Sequence, residues 1–83
     1  MKRVGIVAIV IKENRSAVSA IQDILSDHHE IIIGRMGIPD RINNIHMISL
    51  AVEGETEKIS ALTGKLGRLN NVAVKSAVTT VEL

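Results

Sequence analysis

The histidines are the residues of this chain best suited to metal or proton chemistry. His28 and His29 are adjacent and lie between Asp27 and Glu30, and His46 follows later in the chain. Neutral imidazole is the commonest transition-metal ligand, and it titrates near physiological pH. Adjacent side chains on an extended strand point to opposite sides, however, so His28 and His29 do not easily bind one ion together. The favoured interpretation is a solvated helix end, with His28 near the helix carboxyl terminus.

His46 is predicted to begin a later strand and to lie near Gly37 across a hairpin. In that arrangement His46 is nine residues of strand, roughly 30 Å, from His28. One chain does not bring these imidazoles together. A metal site built from His28, His29 and His46 therefore needs ligands from neighbouring subunits.

A second set of polar residues could bind an anion. Asn14, Arg15 and Ser16 offer hydrogen-bond donors where the first predicted strand meets the first helix, and Arg35 lies among apolar neighbours on the second strand. A helix N-terminus with an adjacent Arg and Ser can bind an anion or a ligand carboxylate. These four residues are the candidate effector-binding set. Ordinary helix capping is the favoured alternative, and Arg35 could equally reach water past a sheet edge or pair with a carboxylate of another subunit.

The composition excludes several kinds of chemistry. The chain has 83 residues, a formal net charge of +1, no cysteine and no aromatic residue. Without cysteine there are no disulfides, thiolate nucleophiles or cysteine metal sites. With balanced charge and no aromatic stacking platform, we expect no direct nucleic-acid binding. No serine or threonine lies in a nucleophile-elbow pattern, so we expect a protein that is not an enzyme, and the sequence identifies no cofactor.

The amino terminus imitates a signal peptide, because Met1, Lys2 and Arg3 precede an apolar run at residues 4–11. Polar and charged residues 12–15 follow at once, and no small-residue cleavage site is present. Eight apolar residues are also far fewer than the ~20 that span a bilayer. The expected location is the cytoplasm, with no membrane association.

Hydrophobic periodicity predicts four strands and two helices. The first run is rich in β-branched residues and has no polar position, which is typical of a central strand buried on both faces. Asn14 is a plausible N-cap for the first helix. The predicted elements are a strand at 4–11, a helix from Asn14 to about His28, a strand at 30–38 stopped by Pro39, a strand at 45–53, a helix at 55–69 and an edge strand at 72–81.

The two halves of the chain resemble each other when one is shifted by 41 residues along the other. The shift superimposes Ile6 on Met47, Ile9 on Leu50, Val18 on Ile59, Ile21 on Leu62, Leu25 on Leu66 and Ile31 on Val72. Each strand-helix-strand half has a right-handed crossover. We therefore predict one α+β domain over residues 1–83, a ferredoxin-like βαββαβ sandwich with a four-stranded antiparallel sheet and two helices on one face.

This fold leaves one apolar face of the first strand uncovered. Val4, Ile6, Ala8 and Val10 lie on one side of the strand, and apolar residues also fill the other side, yet the two helices cover only one side. A large exposed apolar patch marks an interaction surface. We expect a homo-oligomer, a dimer or a tetramer, formed through the open sheet face or the strand edges, with pairing to another protein as an alternative.

Parts of the sequence resemble known ligand-sensing domains. Residues 48–54, the second predicted helix and residues 71–74 resemble the second half of ACT domains, notably those of the acetolactate synthase small regulatory subunits, which bind small effectors at subunit interfaces. Residues 21–32 resemble the ligand-binding domain of the nickel-responsive repressor. Residue matching places Gly37 and Pro39 at that family's strand histidines and His46 at its cysteine, so most of the nickel site is missing.

Over nearly its whole length the chain resembles the small ACT-like proteins of the iron-only hydrogenase system regulator family. That resemblance implies a stand-alone effector-sensing or regulatory module, linked to the hydrogenase system, that acts as a homo-oligomer. It also implies a transcriptional regulator, although no DNA-reading element is found in the residues. Two alternatives remain open, namely a metal-responsive sensor with histidine ligands from several subunits and a regulatory subunit of a larger enzyme.

Overall fold

The structure, a computed structural model, describes residues 2–12 and 16–81. Their four strands form one sheet in the order β2-β3-β1-β4, and every neighbouring pair is antiparallel. The ferredoxin-like α+β fold predicted from the sequence is confirmed. Its elements are β1 (Lys2–Lys12), α1 (Ser16–Asp27), β2 (Ile32–Asp40), β3 (Ile45–Gly54), α2 (Thr56–Gly67) and β4 (Val72–Val81).

The core lies between the two helices and one face of the sheet. Alternate residues of β1 and β3 point into it, and each helix contributes an apolar stripe with spacings of three and four residues. Burying each Val, Leu or Ile side chain of this core contributes about 1.5–3 kcal/mol. The buried residues are Val7, Ile9, Ile11, Ala17, Ile21, Leu25, Ile31, Ile48, Leu50, Val52, Ile59, Leu62 and Leu66.

The opposite side of β1 is not buried within the chain. Ile6 and Ala8 are exposed there, and Val4 and Val10 are half-buried. The expectation that β1 is buried on both faces is therefore wrong for a single chain, because both helices pack against the side that carries Val7. The uncovered side is called the open sheet face below.

The 41-residue repeat is present in the structure. Ile9 and Leu50 are fully buried at equivalent positions of β1 and β3, and Ile21 and Leu62 are fully buried at equivalent positions of α1 and α2. Four of the six superimposed pairs share an environment, whereas half-buried Val18 and Val72 correspond to buried Ile59 and Ile31.

The second strand begins two residues later than predicted. Residues His29–Ile31 form a 3-10 turn after α1, and the Ile31 N–H donates to the His28 carbonyl oxygen at 3.2 Å. This turn carries Glu30 and Ile31, so β2 starts at Ile32. The apolar run alone could not reveal the turn, because Ile31 is buried there as it would be in a strand.

The sequence predicted that Pro39 stops β2, and this prediction is wrong. Pro39 pairs with His46 inside the ladder, and the strand continues to Asp40. The strand order makes β2 an edge strand, where a residue without an N–H is tolerated. The same order confirms that β4 is an edge strand. Helix α2 ends at Gly67, two residues before the predicted end, and Asn71 in the left-handed region (φ 59°) leads into β4.

The loop between β2 and β3 is closed by side-chain hydrogen bonds. The Asn43 backbone N–H and the Asn43 side-chain amide donate to the Asp40 carboxylate at 3.2 and 2.9 Å. These bonds favour the charged form and lower the pKa of Asp40 below its ordinary value. Asn44 then takes a positive φ of 53° and leads into β3. In the described parts of the chain, neither helix is long and apolar enough to cross a lipid bilayer.

Two glycines stand where the chain passes close to itself. A Cβ at Gly5 would collide with the Ala77 carbonyl oxygen and come within 2.8 Å of the Val78 Cα on β4. A Cβ at Gly54 would lie 2.8 Å from the Ile31 side chain. At Gly5 the obstacle is backbone, so it cannot rotate away.

Replacing Gly5 should therefore destabilise the β1–β4 pairing. We expect Gly5→Ala to lower the free energy of unfolding by about 1–3 kcal/mol, as overpacking of a tight contact does. Gly64→Ala is the matched control, since nothing lies within 4 Å of its Cβ position. That change should stabilise α2 by up to ~1 kcal/mol. Urea unfolding measures both variants, and equal effects of the two substitutions would contradict this account.

Candidate effector site

A cleft between α1 and β2 brings together several groups that could bind a small ligand. It has a volume of about 520 Å³, within the range of about 300–1,000 Å³ that is usual for ligand pockets. Its lining combines one cation, one carboxylate, an imidazole, an amide, a hydroxyl and two aliphatic side chains. The lining residues are Gln22, Asp23, Leu25, Ser26, His29, Ile32 and Arg35.

Arg35 is the main cationic group of this cleft. It pairs with Leu50 across the β2–β3 ladder and so lies on the helix side of the sheet. Its Nη2 donates to the Gln22 Oε1 at 2.6 Å, which fixes the guanidinium against the middle of α1. A guanidinium carries five N–H donors in a planar fork that matches a carboxylate or phosphate. Arg35 can therefore bind an anion while keeping or exchanging its bond to Gln22.

The other end of the cleft is held by the helix terminus. The His29 Nδ1 donates to the Ser26 carbonyl oxygen at 2.9 Å, which places the proton of a neutral ring on Nδ1 and satisfies a carbonyl of the last helical turn. His28 follows α1 directly, at the helix end where the sequence placed it, and the side chain of His29 makes the contact to a helix carbonyl. Leu25 is buried and Ile32 is half-buried beside these polar groups. The cleft suits a small ligand with an anionic group and an apolar body.

The predicted effector residues are not all brought together. Ser16 is the first residue of α1, and Asn14 and Arg15 lie outside the described residues. Helix rise places Ser16 about 9 Å along the axis from Gln22, the partner of Arg35. Arg35 is thus beside the middle of α1 rather than at its N-terminus. Effector binding by Asn14, Arg15, Ser16 and Arg35 stays a prediction.

Gln22 and Ser26 were not predicted as site residues. They are four residues apart and so lie on one helix stripe, next to buried Leu25. The sequence signal that could have identified them is this polar stripe beside the apolar stripe of α1. The border between the two stripes lies over the edge of the sheet, where β2 carries Arg35.

The internal repeat produces a second concavity in the equivalent place. A groove of about 510 Å³ lies between α2 and β4. The 41-residue shift relates Gln22, Asp23, Ser26 and Arg35 of the cleft to Thr63, Gly64, Gly67 and Ser76, which all line this groove. The two halves therefore share a shape but differ in chemistry. The α1–β2 cleft carries an Arg and an Asp where the α2–β4 groove carries a Ser and a Gly.

The structure keeps the predicted metal-binding histidines apart within one chain. His46 pairs with Pro39, and its Nε2 lies 3.5 Å from the Cβ position of Gly37, as the hairpin prediction required. The strand from Ile32 to Pro39 spans about 23 Å and separates His46 from the turn that carries His28 and His29. Within residues 2–12 and 16–81, no group of three or more His, Cys, Asp or Glu side chains is placed to hold a metal ion.

His28 nevertheless has an unusual environment. Its Nε2 is buried and has no hydrogen-bond partner, while its backbone N–H continues the helical pattern by donating to the Ile24 carbonyl oxygen at 3.1 Å. A metal site using His28, His29 and His46 from different subunits stays a prediction.

Beside the histidines, Glu30 forms an ion pair with Lys58 of α2. The Lys58 Nζ lies 3.0 Å from the Glu30 Oε1, and both side chains are more than half exposed. The hydrogen bond and the charge of Lys58 lower the pKa of Glu30 below its ordinary value. This surface pair links the turn after α1 to the second helix.

Comparison with known proteins decides the family. Residues 3–76 match the family model described as "TM1266-like: Iron-only hydrogenase system regulator, putative". The chain belongs to this family. The family resemblance inferred from the sequence is thereby confirmed. No curated protein sequence matches the chain.

Solved structures agree with this assignment. The chain is similar to the uncharacterized protein TM1266 from Thermotoga maritima, with 32% identity, a TM-score of 0.91, and coverage of 96% of this chain and 100% of that one. At the level of fold it is also similar to CPII, a nitrogen regulatory PII-like protein from Thiomonas intermedia K12, with 13% identity, a TM-score of 0.67, and coverage of 100% and 96%. The C-terminal domain of the MgtC protein from Mycobacterium tuberculosis shares the fold with 12% identity, a TM-score of 0.72, and coverage of 93% and 87%.

The ion pair gives a test of the turn geometry by pH. Because the folded pKa of Glu30 is lowered, the stabilisation from the pair is present above the unfolded pKa and is lost as pH falls through the folded pKa. We expect Lys58→Met to raise the NMR titration midpoint of the Glu30 carboxyl toward its ordinary value. The Asp40 midpoint is the internal control, since Asn43 holds that carboxylate. A Glu30 midpoint that does not move would show that Lys58 is not its partner.

Proposed function

We propose that this chain is a non-enzymatic regulatory module of the iron-only hydrogenase system that senses a small anionic effector in the α1–β2 cleft and acts as a homo-oligomer. The membership in the regulator family supports the regulatory role. The observation that carries the effector site is the placement of Arg35 in the cleft, with Gln22 as its partner at 2.6 Å.

The distribution of polar groups supports binding rather than catalysis. Among the described residues, no polar or charged residue is buried as a whole, and the one buried side-chain nitrogen or oxygen without a partner is the His28 Nε2. Catalytic acids and bases are usually found where burial and neighbouring charges shift their pKa strongly. The lowered pKa values of Glu30 and Asp40 instead come from exposed surface contacts with Lys58 and Asn43.

The contrast between the two halves also favours the α1–β2 cleft. Both concavities come from the same repeated unit, so shape alone does not distinguish them. Only the cleft carries an arginine, at the position where the α2–β4 groove carries Ser76; the cation of the groove is Lys75, a point charge without the planar fork of a guanidinium. A guanidinium recognises a carboxylate with two parallel hydrogen bonds, which a serine hydroxyl cannot do.

Binding can be measured with hexanoate, which combines a carboxylate with an aliphatic body. We expect millimolar hexanoate to shift the NMR resonances of the cleft residues in a saturable manner. The hexanoate carboxylate should bind Arg35, and its hydrocarbon tail should cover Ile32. Hexylamine has the same body with the opposite charge and should leave them unshifted. Arg35→Gln should abolish the shifts.

Arg68→Gln is the matched control, because Arg68 lies at the end of α2 and does not line the cleft. This variant should bind hexanoate like the wild type. Shifts that persist in Arg35→Gln, or that equally require Arg68, would refute the cleft as the effector site.

The regulatory role itself is tested in the host. Deleting the gene should change iron-only hydrogenase activity, and the wild-type gene should restore it. The Arg35→Gln gene should fail to restore it while producing the same amount of protein. Unchanged hydrogenase activity after deletion would refute the regulatory role, whatever the result of the binding experiment.

A further inference from the structure

The open sheet face carries large apolar side chains in contact with solvent. Ile6, Met36, Ile38 and Met47 are 48, 58, 45 and 38% exposed. The strand register makes the patch continuous, because Ile38 is opposite Met47 and Met47 is opposite Val10. Soluble monomers rarely expose contiguous apolar patches larger than a few hundred Å².

The size of the face is sufficient for a stable protein interface. Four strands spaced by about 4.8 Å, with about 30 Å of paired length, give a planar footprint of roughly 570 Å². Two copies together bury at least twice this area, which exceeds the ~1,000 Å² expected of a biological interface.

The charges on this side of the sheet lie around the apolar centre. Strand alternation places Lys2 and Lys12 at the two ends of β1, Glu53 near one end of β3, and Asp40 at the end of β2. Lys75 lies on the edge strand β4. An apolar centre with a polar rim is the usual anatomy of a protein–protein interface.

We propose that a second copy of this chain covers the open sheet face, with the two sheets packed face to face around Met36 and Met47. The rim carries both signs of charge, so a two-fold arrangement can oppose Lys2 and Lys12 to Glu53 and Asp40. An acidic lipid surface binds a basic protein face, and the carboxylates of Glu53 and Asp40 would repel such a surface. This inference rests on the homo-oligomer of the proposed function, and its test uses no effector. A monomer overturns both the inference and the oligomeric part of that function, whereas a dimer formed through the strand edges overturns the inference alone.

The test is the mass of the full chain in solution at micromolar concentration, measured by sedimentation. We expect twice the 9.0 kDa mass of one chain. Met47→Glu buries a charge at the centre of the interface, so its measured mass should fall by half. Ile42→Glu is the matched control, because Ile42 is 95% exposed in the loop between β2 and β3 and lies off the face. That variant should stay dimeric.

A second measurement does not depend on the folding of a variant. The Met36 and Met47 methyl signals of the wild type should be protected from a soluble paramagnetic probe and should lose that protection on dilution. A monomeric wild type refutes the proposal, including one that sediments with acidic phospholipid vesicles. A Met47→Glu variant that stays dimeric, together with a wild-type dimer whose Met36 and Met47 methyl groups are both open to the probe, also refutes it, since the strand edges then form the interface.

Discussion

The two helices pack on the same side of the sheet because both strand-helix-strand units cross over with the same hand. This constraint determines which apolar residues are buried. Val7, Ile9 and Leu50 are fully buried under the helices, whereas Ile6 and Met47 on the other side remain exposed. A chain of this size has little core to spare, since small domains bury only about 60% of their unfolded surface. We therefore expect the exposed apolar side to determine how the protein associates in solution.

Duplication of one unit accounts for the position of the candidate site. Each unit places a concavity beside its helix and its edge strand, so the fold provides two equivalent concavities. In the first unit, Arg35 and Asp23 bring charge to this place. In the second unit the same positions are Ser76 and Gly64, and the only charged side chain that lines the groove is Lys75. The repeat thus supplies the shape, and a few side chains differentiate the two halves.

Much of the fold could be predicted from the sequence, because its periodicity is strong and its repeat gives two independent readings of one unit. Leu25 and Leu66 occupy equivalent buried positions as the 41-residue shift required. The errors occurred where local geometry overrides periodicity. Ile31 is buried in a 3-10 turn rather than in β2, and Pro39 continues β2 because that strand lies at the edge.

The site was less predictable than the fold. Arg35 was identified from its apolar neighbours, but Gln22 was not, because their contact joins residues thirteen positions apart through the packing of α1 on β2. Such a contact depends on how α1 is rotated about its own axis above the sheet. Hydrophobic periodicity determines which face of the helix is buried, but it does not determine that rotation closely enough to predict one side-chain contact. Ser26 and His29 line the same cleft, and the His29 Nδ1 donates to the Ser26 carbonyl oxygen in the last turn of α1. A histidine near a helix end commonly donates to one of the last helical carbonyls, but the sequence does not decide whether His28 or His29 makes this contact.

Strand β2 connects the cleft to the open sheet face. Arg35 and Met36 are consecutive, and consecutive side chains of a strand point to opposite sides of the sheet. Arg35 therefore lies toward α1 while Met36 lies on the open sheet face. An effector bound to Arg35 and a second copy packed on Met36 would act on the same short segment of an edge strand. If effector binding moves β2 and so changes the affinity between the two copies by some factor, then pairing of the copies changes the affinity for the effector by the same factor, because such coupling is reciprocal.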